Sequence, residues 1–292
     1  MINKFLNYLQ LERNYSQRTV ESYGEDLTAF ESYFKNLSAE LTWESVDPDV
    51  IRGWMEEMMD KGNNATSINR RLSALRSFYR FALSRHLVKR DPSHMIKGPK
   101  KEKPLPKFIR EADIDRLLEP EMWKDTYDDL LARTIILVLY TTGLRLSELV
   151  GLDDEMVDFV NSQLKVTGKR NKQRIIPFGN ELAEELRKYI AARDEKVVRV
   201  TPGLLLTEKG KRISPIKVRD IVINKLGLVT TQKKRSPHVL RHSFATAMLN
   251  HEAGLESVKK LLGHESLATT EIYTHTTFEQ LKAVYEKTHP RG

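Results

Sequence analysis

Apolar residues recur at helical spacing through most of the chain, and short runs of β character occur only in its middle. In the first hundred residues this pattern predicts four helices. Asp47-Pro48 is suited to open the third helix, and Thr66 or Ser67 to begin the fourth. Four helices in so short a segment predict a small all-α bundle. The clearest apolar stripe is that of the second helix, formed by Val20, Tyr23, Leu27, Phe30 and Phe34.

The rest of the chain has a mixed pattern. Helical spacing recurs over residues 111–118, 127–140, 181–192, 215–226 and 255–262, in a helix that starts at Pro237, and over 278–285. Three β runs lie among these helices, at 156–160, 163–167 and 174–177. We therefore predict a mainly α fold with a small antiparallel β-sheet. The Pro, Gly and Lys content near residue 100 is typical of a linker, which divides the chain into domains at 1–95 and 110–292 joined by a basic linker at 96–109.

Charge and composition narrow the class of protein. The 292 residues include 48 Lys and Arg against 40 Asp and Glu, a net charge of +8 that favours a polyanionic partner. Cysteine is absent, which excludes disulfides, thiolate metal sites and a cysteine nucleophile. No signal-peptide layout or membrane-spanning apolar run occurs, so we expect a cytoplasmic protein without a membrane partner.

One segment of the first domain is unusually basic. From Lys61 to Arg90 the chain contains no Asp or Glu. A solvated helix face usually mixes charges of both signs, because oppositely charged neighbours stabilise it. The pattern therefore favours a surface that binds phosphates of a nucleic-acid backbone. The candidate DNA-binding residues here are Arg70, Arg71, Arg76 and Arg80.

A candidate anion site lies where the helix after Ser236-Pro237 begins. His238 and Arg241 are three residues apart, so they share one helix face near its positive N-terminal end. By itself the segment fits an ordinary amphipathic surface helix equally well. His238 and His242 have the spacing of zinc-binding helices, but the glutamate of that motif is missing, which disfavours a metalloprotease.

Five motifs follow one another in a fixed order: Thr142-Gly143-Leu144-Arg145-Leu146-Ser147-Glu148-Leu149, Gly168-Lys169, His238-x-x-Arg241, Leu262-Gly263-His264 and Tyr273-Thr274-His275. In these motifs the chain resembles the tyrosine recombinase (phage integrase) family, and the resemblance extends over nearly its whole length. The resemblance is strongest to the Xer branch, the recombinases that resolve chromosome dimers. The resemblance implies a two-domain clamp on DNA, with a helical core-binding domain and a catalytic domain ending in a tail helix. A buried core tyrosine is the alternative interpretation of Tyr273, and the other motifs disfavour it.

The resemblance also implies a role for each matching residue. Tyr273 is expected to attack a scissile DNA phosphate and form a 3′-phosphotyrosyl link. Arg145, Arg241 and His264 are expected to hold the nonbridging oxygens, His238 to assist proton movement, and Lys169 to protonate the leaving 5′ oxygen. Lys172 lies in the same predicted hairpin tip, so the choice between the two lysines stays open, and Lys172 is also a candidate DNA contact. Two guanidiniums suit phosphoryl transfer without a metal, and the link stores the bond energy, so neither a cofactor nor ATP is expected.

For the function, the resemblance implies site-specific recombination of double-stranded DNA through a Holliday junction, with chromosome dimer resolution and segregation as the favoured role. A homo-tetramer, or a hetero-tetramer with a paralogous recombinase, is expected on DNA within the nucleoid, with a DNA translocase as a candidate activator. The alternatives are a mobile-element or phage integrase, a catalytically silent DNA-binding protein and a type IB topoisomerase.

The predicted tail helix carries an apolar stripe of Phe278, Leu281, Val284 and Tyr285. Two interpretations are open. The stripe packs on its own domain as ordinary core, or, as the resemblance favours, it docks into a neighbouring protomer.

Overall fold

A computed structural model describes residues 1–101, 107–168, 173–263 and 275–292, except for the side chains of 275–279. The chain separates into two units, Met1–Pro104 and Leu105–Gly292. In the first unit, α1 (Ile2–Asn7) continues into a π-helical turn (Tyr8–Glu12), and α2 (Gln17–Leu37), α3 (Pro48–Asp60) and α4 (Ala65–Ser84) follow.

Side-chain caps define where these helices begin. The hydroxyl of Ser16 accepts a hydrogen bond from the amide of Thr19 at α2. A carboxylate oxygen of Asp47 accepts from two amides of the first turn of α3, and Pro48 occupies the first helical position. The fourth helix differs from its prediction: Asn64, and neither Thr66 nor Ser67, is its N-cap. The asparagine side chain serves the same purpose as the predicted hydroxyl.

Aromatic packing forms the core of the first unit. The ring of Trp43 lies 4.3 Å from that of Phe78 and 5.3 Å from that of Phe34, and its carbonyl accepts a hydrogen bond from the hydroxyl of buried Tyr79. Ile96, at the start of the predicted linker, is 3% exposed and belongs to this core. The first unit therefore extends past α4 and includes residues just beyond the predicted boundary at 95.

The described residues of the second unit form eight α-helices, two 3-10 turns and one sheet. In chain order, the α-helices and strands are α5 (Glu111–Leu118), α6 (Tyr127–Thr142), α7 (Leu146–Val150), β1 (Val157–Asp158), β2 (Gln163–Thr167), β3 (Gln173–Pro177), α8 (Asn180–Lys196), α9 (Pro215–Leu226), α10 (Pro237–Asn250), α11 (Leu255–Leu262) and α12 (His275–Thr288). The strands are antiparallel in the order β1-β2-β3. The predicted fold class, mainly α with a small antiparallel sheet, is confirmed.

Helix α6 is the centre of the second unit. Nearly all of its side chains are buried, from Tyr127 to Thr142, and a helix that is apolar on every side must be surrounded by other elements. It packs against α8, α9 and α10. Because the helix is continuous and central, its C-terminal end is a fixed point from which the following residues can be positioned.

The tail helix α12 packs on its own domain. Leu281 and Tyr285 are 5% and 0% exposed, in one apolar cluster with Phe244 of α10 and Leu261 of α11. Beyond the helix, Arg291 forms ion pairs with Asp115 and Glu181. In this single chain, α12 thus packs as core of its own domain, and docking into a neighbouring protomer stays a prediction.

A histidine lies buried just after the tail helix. His289 is 4% exposed and its ring stacks on that of Tyr285, with a centroid separation of 5.1 Å. Burial, with smaller repulsion from Arg291 and His251, lowers the pKa of His289 from 6.5 to about 3, and a backbone hydrogen bond opposes this only in part. The folded chain therefore holds the neutral imidazole, whereas the unfolded chain takes up a proton below about pH 6.5.

We expect acid to loosen the tail through this histidine. The contribution of His289 to the free energy of unfolding is complete above about pH 6.5, where the ring is neutral in both states. It is lost at about 1.4 kcal/mol per pH unit as the pH falls towards 3. His289→Phe keeps an aromatic ring without a titrating proton. The free energy of unfolding of both proteins is measured in urea at about pH 7.5 and about pH 5. Between these two pH values, the wild type should lose about 2 kcal/mol more than His289→Phe. An equal loss in the two proteins would contradict the assignment.

Candidate active site

The turn after α6 positions the first candidate arginine. Gly143 ends the helix in the left-handed conformation, with φ +60°. A Cβ at this position would lie 2.6 Å from the ring of Phe244. Only glycine fits both restrictions, so the chain turns sharply here and brings Arg145 to the N-cap of α7. Ser147, a residue type that commonly caps helices, lies inside α7 and is not its N-cap.

Arg145 is held from three directions. Its amide donates to Glu148 Oε2 at 2.8 Å, its Nη1 donates to Glu148 Oε1 at 2.8 Å, and its Nη2 donates to the carbonyl oxygen of Gly263 at 2.8 Å. The side chain remains about one-third exposed. A guanidinium with a fixed base and an accessible remainder is suited to bind a phosphate oxygen.

Arg241 lies on α10 one turn after the helix begins and is 8% exposed. Its Nη1 donates to the carbonyl oxygen of Gly143 and its Nη2 to that of Leu262, both at 2.6 Å. Burial, then repulsion from Arg145, lowers the pKa of Arg241 to about 10. The side chain therefore stays charged at neutral pH, while neutral carbonyl groups rather than a carboxylate hold it in place.

Two further residues, which the sequence did not mark as site residues, complete this cluster. Glu148 is buried, and so is Arg174 of β3. Arg174 donates from Nη1 and Nη2 to the two oxygens of Glu148 at 2.7 and 2.9 Å. Burial by itself would raise the pKa of Glu148, but Arg174 and then Arg145 outweigh it and hold the pKa at about 2. Two guanidiniums thus bind one ionised carboxylate, and with the charge of Arg241 the group has an excess of positive charge.

The C-terminal end of α11 supplies the remaining partners. The last carbonyl groups of a helix have no amide partner within it. Here, each of three carbonyl groups at the end of α11 accepts a hydrogen bond from a different arginine. Leu261 accepts from Arg174 Nε at 3.0 Å, and the next two carbonyls, of Leu262 and Gly263, accept from the two arginines already described. Gly263 closes this helix in the left-handed conformation, with φ +62°, which is common for a glycine at a helix end. The negative end of the helix therefore partly neutralises the arginine cluster.

His238 is exposed in the first turn of α10. Partial desolvation, followed by the charges of Arg241 and His242, lowers its pKa. The imidazole is therefore neutral at physiological pH and able to accept a proton beside a guanidinium. Ser236 is the N-cap of the helix, as predicted, but its side chain makes no capping hydrogen bond.

Four predicted site residues lie outside the described parts of the chain: Lys169, Lys172, His264 and Tyr273. Their flanking residues are described. Thr167 pairs with Gln173 across the β2–β3 hairpin, so the stretch with both lysines joins these strands. Gly263 precedes His264 directly, and α12 begins two residues after Tyr273. The structure therefore places Arg145 and Arg241 in one cluster, with His238 on the same helix as Arg241. The catalytic roles of all seven residues remain predictions.

In the first unit, most of the candidate DNA-binding arginines contact their own domain. Arg70 forms a bidentate pair with buried Asp26 of α2, and Arg71 lies 3.6 Å from the same carboxylate. Arg76 donates to the carbonyl oxygen of Ile96. Arg80 is exposed, and no described residue pairs with it. The acid-free run is thus neutralised in part by acids from other helices, which a local count of charges does not reveal.

Arg80 and Arg76 lie on the same helix, but only the Arg80 side chain is free of polar contacts with its own domain among the described residues, so we expect only Arg80 to contact DNA. Arg80→Gln should weaken DNA binding and reduce the slope of log affinity against log salt by about one, because one phosphate contact is lost. Arg76→Gln is the matched control: it should lower the stability of the first unit and leave the slope unchanged. Fluorescence titrations at several salt concentrations measure both. An unchanged slope for Arg80→Gln would place this face of α4 away from DNA.

Comparison with known proteins assigns the class. A family profile described as "Phage integrase family" matches residues 107–280, and one described as "Phage integrase, N-terminal SAM-like domain" matches residues 2–86. Tyrosine recombinase XerC of Chlorobaculum tepidum is 37% identical over all of this chain and 94% of its own length. Tyrosine recombinase XerD of Oceanobacillus iheyensis is 34% identical over all of this chain and 98% of its own length.

A similar fold occurs in a solved complex. The XerH site-specific recombinase bound to palindromic difH substrate covers 98% of this chain and 85% of its own, with a TM-score of 0.74 and 20% identity. The chain therefore belongs to the phage integrase family. It is an enzyme of the tyrosine recombinase class, which cuts and rejoins DNA, and its full-length relatives place it in the Xer type of site-specific recombination.

No helix in the described ranges 1–101, 107–168, 173–263 and 275–292 has the length and apolar character needed to cross a membrane.

Proposed function

We propose that this recombinase resolves chromosome dimers by exchanging strands between two copies of a specific DNA site. The role in dimer resolution is supported by the full-length relatives named XerC and XerD. The observation that carries the strand-exchange chemistry is the arginine cluster, in which Arg145 and Arg241 are both fixed by the end of α11. Phosphoryl transfer requires charge stabilisation and positioning more than covalent chemistry from the protein. The fixed guanidiniums of the catalytic domain satisfy this requirement.

In the proposed cleavage step, the phenol oxygen of Tyr273 attacks the scissile phosphorus. The tyrosine–phosphorus bond forms as the bond from phosphorus to the 5′ oxygen breaks. Lys169 donates the proton that the leaving 5′ oxygen needs, and His238 accepts the proton of the phenol. Arg145, Arg241 and His264 stabilise the charge on the nonbridging oxygens. The free 5′ hydroxyl of another strand reverses the reaction, so the bond energy is retained without ATP.

The partner of the site is double-stranded DNA, and the proposed assembly has four protomers on two DNA sites. The net charge of +8 and the presence of a helical domain and a catalytic domain in one chain support a clamp in which both domains contact the duplex. Relatives named both XerC and XerD are similar along the full chain, which supports pairing with a paralogous recombinase. We include a DNA translocase as the activator of the pair, and we place the protein on the nucleoid.

The proposal is tested by mapping where the protein becomes covalently trapped on the chromosome of its host. Protein–DNA adducts are isolated under denaturing conditions and the attached DNA is sequenced. Dimer resolution predicts one dominant cluster at the replication terminus. A cluster at the ends of a mobile element would assign the enzyme to integration instead, and adducts spread without site preference would favour a topoisomerase.

A further inference from the structure

Arg174 is an arginine buried in a β-strand. Its side chain is 7% exposed, and it lies two residues beyond the stretch that contains Lys169 and Lys172. Arginine is almost never buried to this extent unless its charge is paired. The cleavage step proposed above does not use it, so its presence beside the site requires a reason.

The contacts of Arg174 all point towards the machinery that holds the other two arginines. Nη1 and Nη2 form a fork on the carboxylate of Glu148, and Nε donates to the carbonyl oxygen of Leu261. The fork fixes the plane of the carboxylate, which a single hydrogen bond cannot do. The contact to Leu261 fixes the last turn of α11 at the same time.

Both partners of Arg174 are also partners of the phosphate-binding arginines. The Glu148 oxygens that receive the fork also receive the amide and Nη1 of Arg145. The two residues that follow Leu261 supply the carbonyls for Arg241 and for Nη2 of Arg145. Moving Arg174 therefore moves the supports of both arginines.

The backbone leading out of α11 also lies against this side chain. A Cβ at Gly263 would be 3.1 Å from Cδ and 3.2 Å from Nε of Arg174. The guanidinium thus lies directly over the residue that precedes His264. Arg174 in this way connects the β2–β3 hairpin, α7 and the end of α11.

We propose that Arg174 is a positioning residue, which keeps Arg145 and Arg241 aligned on the scissile phosphate by fixing Glu148 and the end of α11. The inference rests on the proposed roles of those two arginines. Arg174 itself does not touch the DNA. Without Arg174, both phosphate-binding arginines remain, but their positions are no longer fixed. A displacement of about 1 Å in such a site lowers the reaction rate about 100-fold.

Arg174→Lys is the variant that tests this, because it keeps a positive charge and loses the fork. Arg193→Lys is the matched control. Arg193 is also buried, binds Asp154 with a fork at 2.7 and 2.9 Å, and donates to a carbonyl, that of Leu204, but it makes no contact with the arginine cluster. Single-turnover cleavage of a suicide substrate carrying the mapped site is measured for the three proteins, with DNA affinity measured in parallel.

A second substrate separates positioning from general loss of structure. Replacing the scissile phosphate with a methylphosphonate removes its negative charge, so the alignment of two guanidiniums matters less. We expect Arg174→Lys to cleave normal DNA about 100-fold more slowly than wild type, with DNA affinity nearly unchanged, and to come within about tenfold of wild type on the methylphosphonate. Arg193→Lys should cleave both substrates at near wild-type rates.

Three results would overturn the inference: wild-type cleavage by Arg174→Lys, an equal defect on both substrates, or an equal defect in Arg193→Lys. If circular dichroism shows that Arg174→Lys does not fold, Arg174→Gln takes its place. Its cleavage of both substrates is then measured below its melting temperature and compared with wild type and Arg193→Lys in the same way. Failure of the proposed function looks different. Failure of dimer resolution would change the adduct map of the wild-type protein, and failure of the cleavage chemistry would leave the wild type without any adduct on the suicide substrate.

Discussion

Tyr273→Phe is expected to abolish covalent protein–DNA adducts while leaving folding and site-specific binding intact. The substitution removes the oxygen that attacks phosphorus and changes the volume of the side chain very little. A suicide substrate, which loses a short fragment after cleavage and so prevents rejoining, makes the adduct countable on a denaturing gel. The wild type should accumulate adduct, and the variant should show none above background.

The matched control is Tyr285→Phe. Tyr285 lies on α12 and is fully buried in the core of the same domain, so removal of its hydroxyl tests whether any tyrosine lost from this region prevents cleavage. We expect Tyr285→Phe to form adducts. Adducts at wild-type levels in Tyr273→Phe would show that another residue is the nucleophile.

The second large effect should distinguish Lys169 from Lys172. A general acid is needed only because the leaving 5′ oxygen is a poor leaving group without a proton. Sulfur at that bridging position leaves readily as a thiolate. Lys169→Ala should therefore be nearly inactive on normal DNA, with a loss of about 100-fold or more, and should recover most of its activity on the sulfur substrate.

Lys172→Ala provides the comparison from the same hairpin. If Lys172 only contacts the DNA backbone, its loss weakens binding on both substrates equally and the sulfur substrate rescues nothing. Cleavage rates at saturating protein separate chemistry from affinity. Rescue confined to Lys172→Ala would transfer the acid role to that residue.

Local sequence signals predicted much of the framework around the site. The helical spacing over 127–140 and 255–262 is followed closely by Gly143 and Gly263, and both end their helices in the left-handed conformation that favours glycine. Ser236-Pro237 predicted the start of α10. These signals depend on residues next to one another in the chain, so they are accessible without a structure. The cap of α4 was misassigned by a few residues because several neighbouring side chains were equally suited to it.

The supports of the site depend on contacts between distant positions. Arg174 is 26 residues from Glu148 and 87 from Leu261 along the chain, and no local pattern relates them. An isolated arginine in a short strand gives no indication that it is buried on a carboxylate. The same reason explains Arg70, whose partner Asp26 is 44 residues away on α2.

The contacts at the end of α11 run to main-chain oxygens rather than to side chains. The cluster therefore constrains the length of this helix much more than its composition. A different apolar residue at Leu261 or Leu262 leaves both carbonyls in place, provided that the core accepts its shape. One residue inserted into or deleted from α11 would rotate the last turn by about 100° and withdraw all three carbonyls together. Variants with apolar substitutions in α11 should therefore keep their activity, whereas variants with an insertion or a deletion in this helix should lose it.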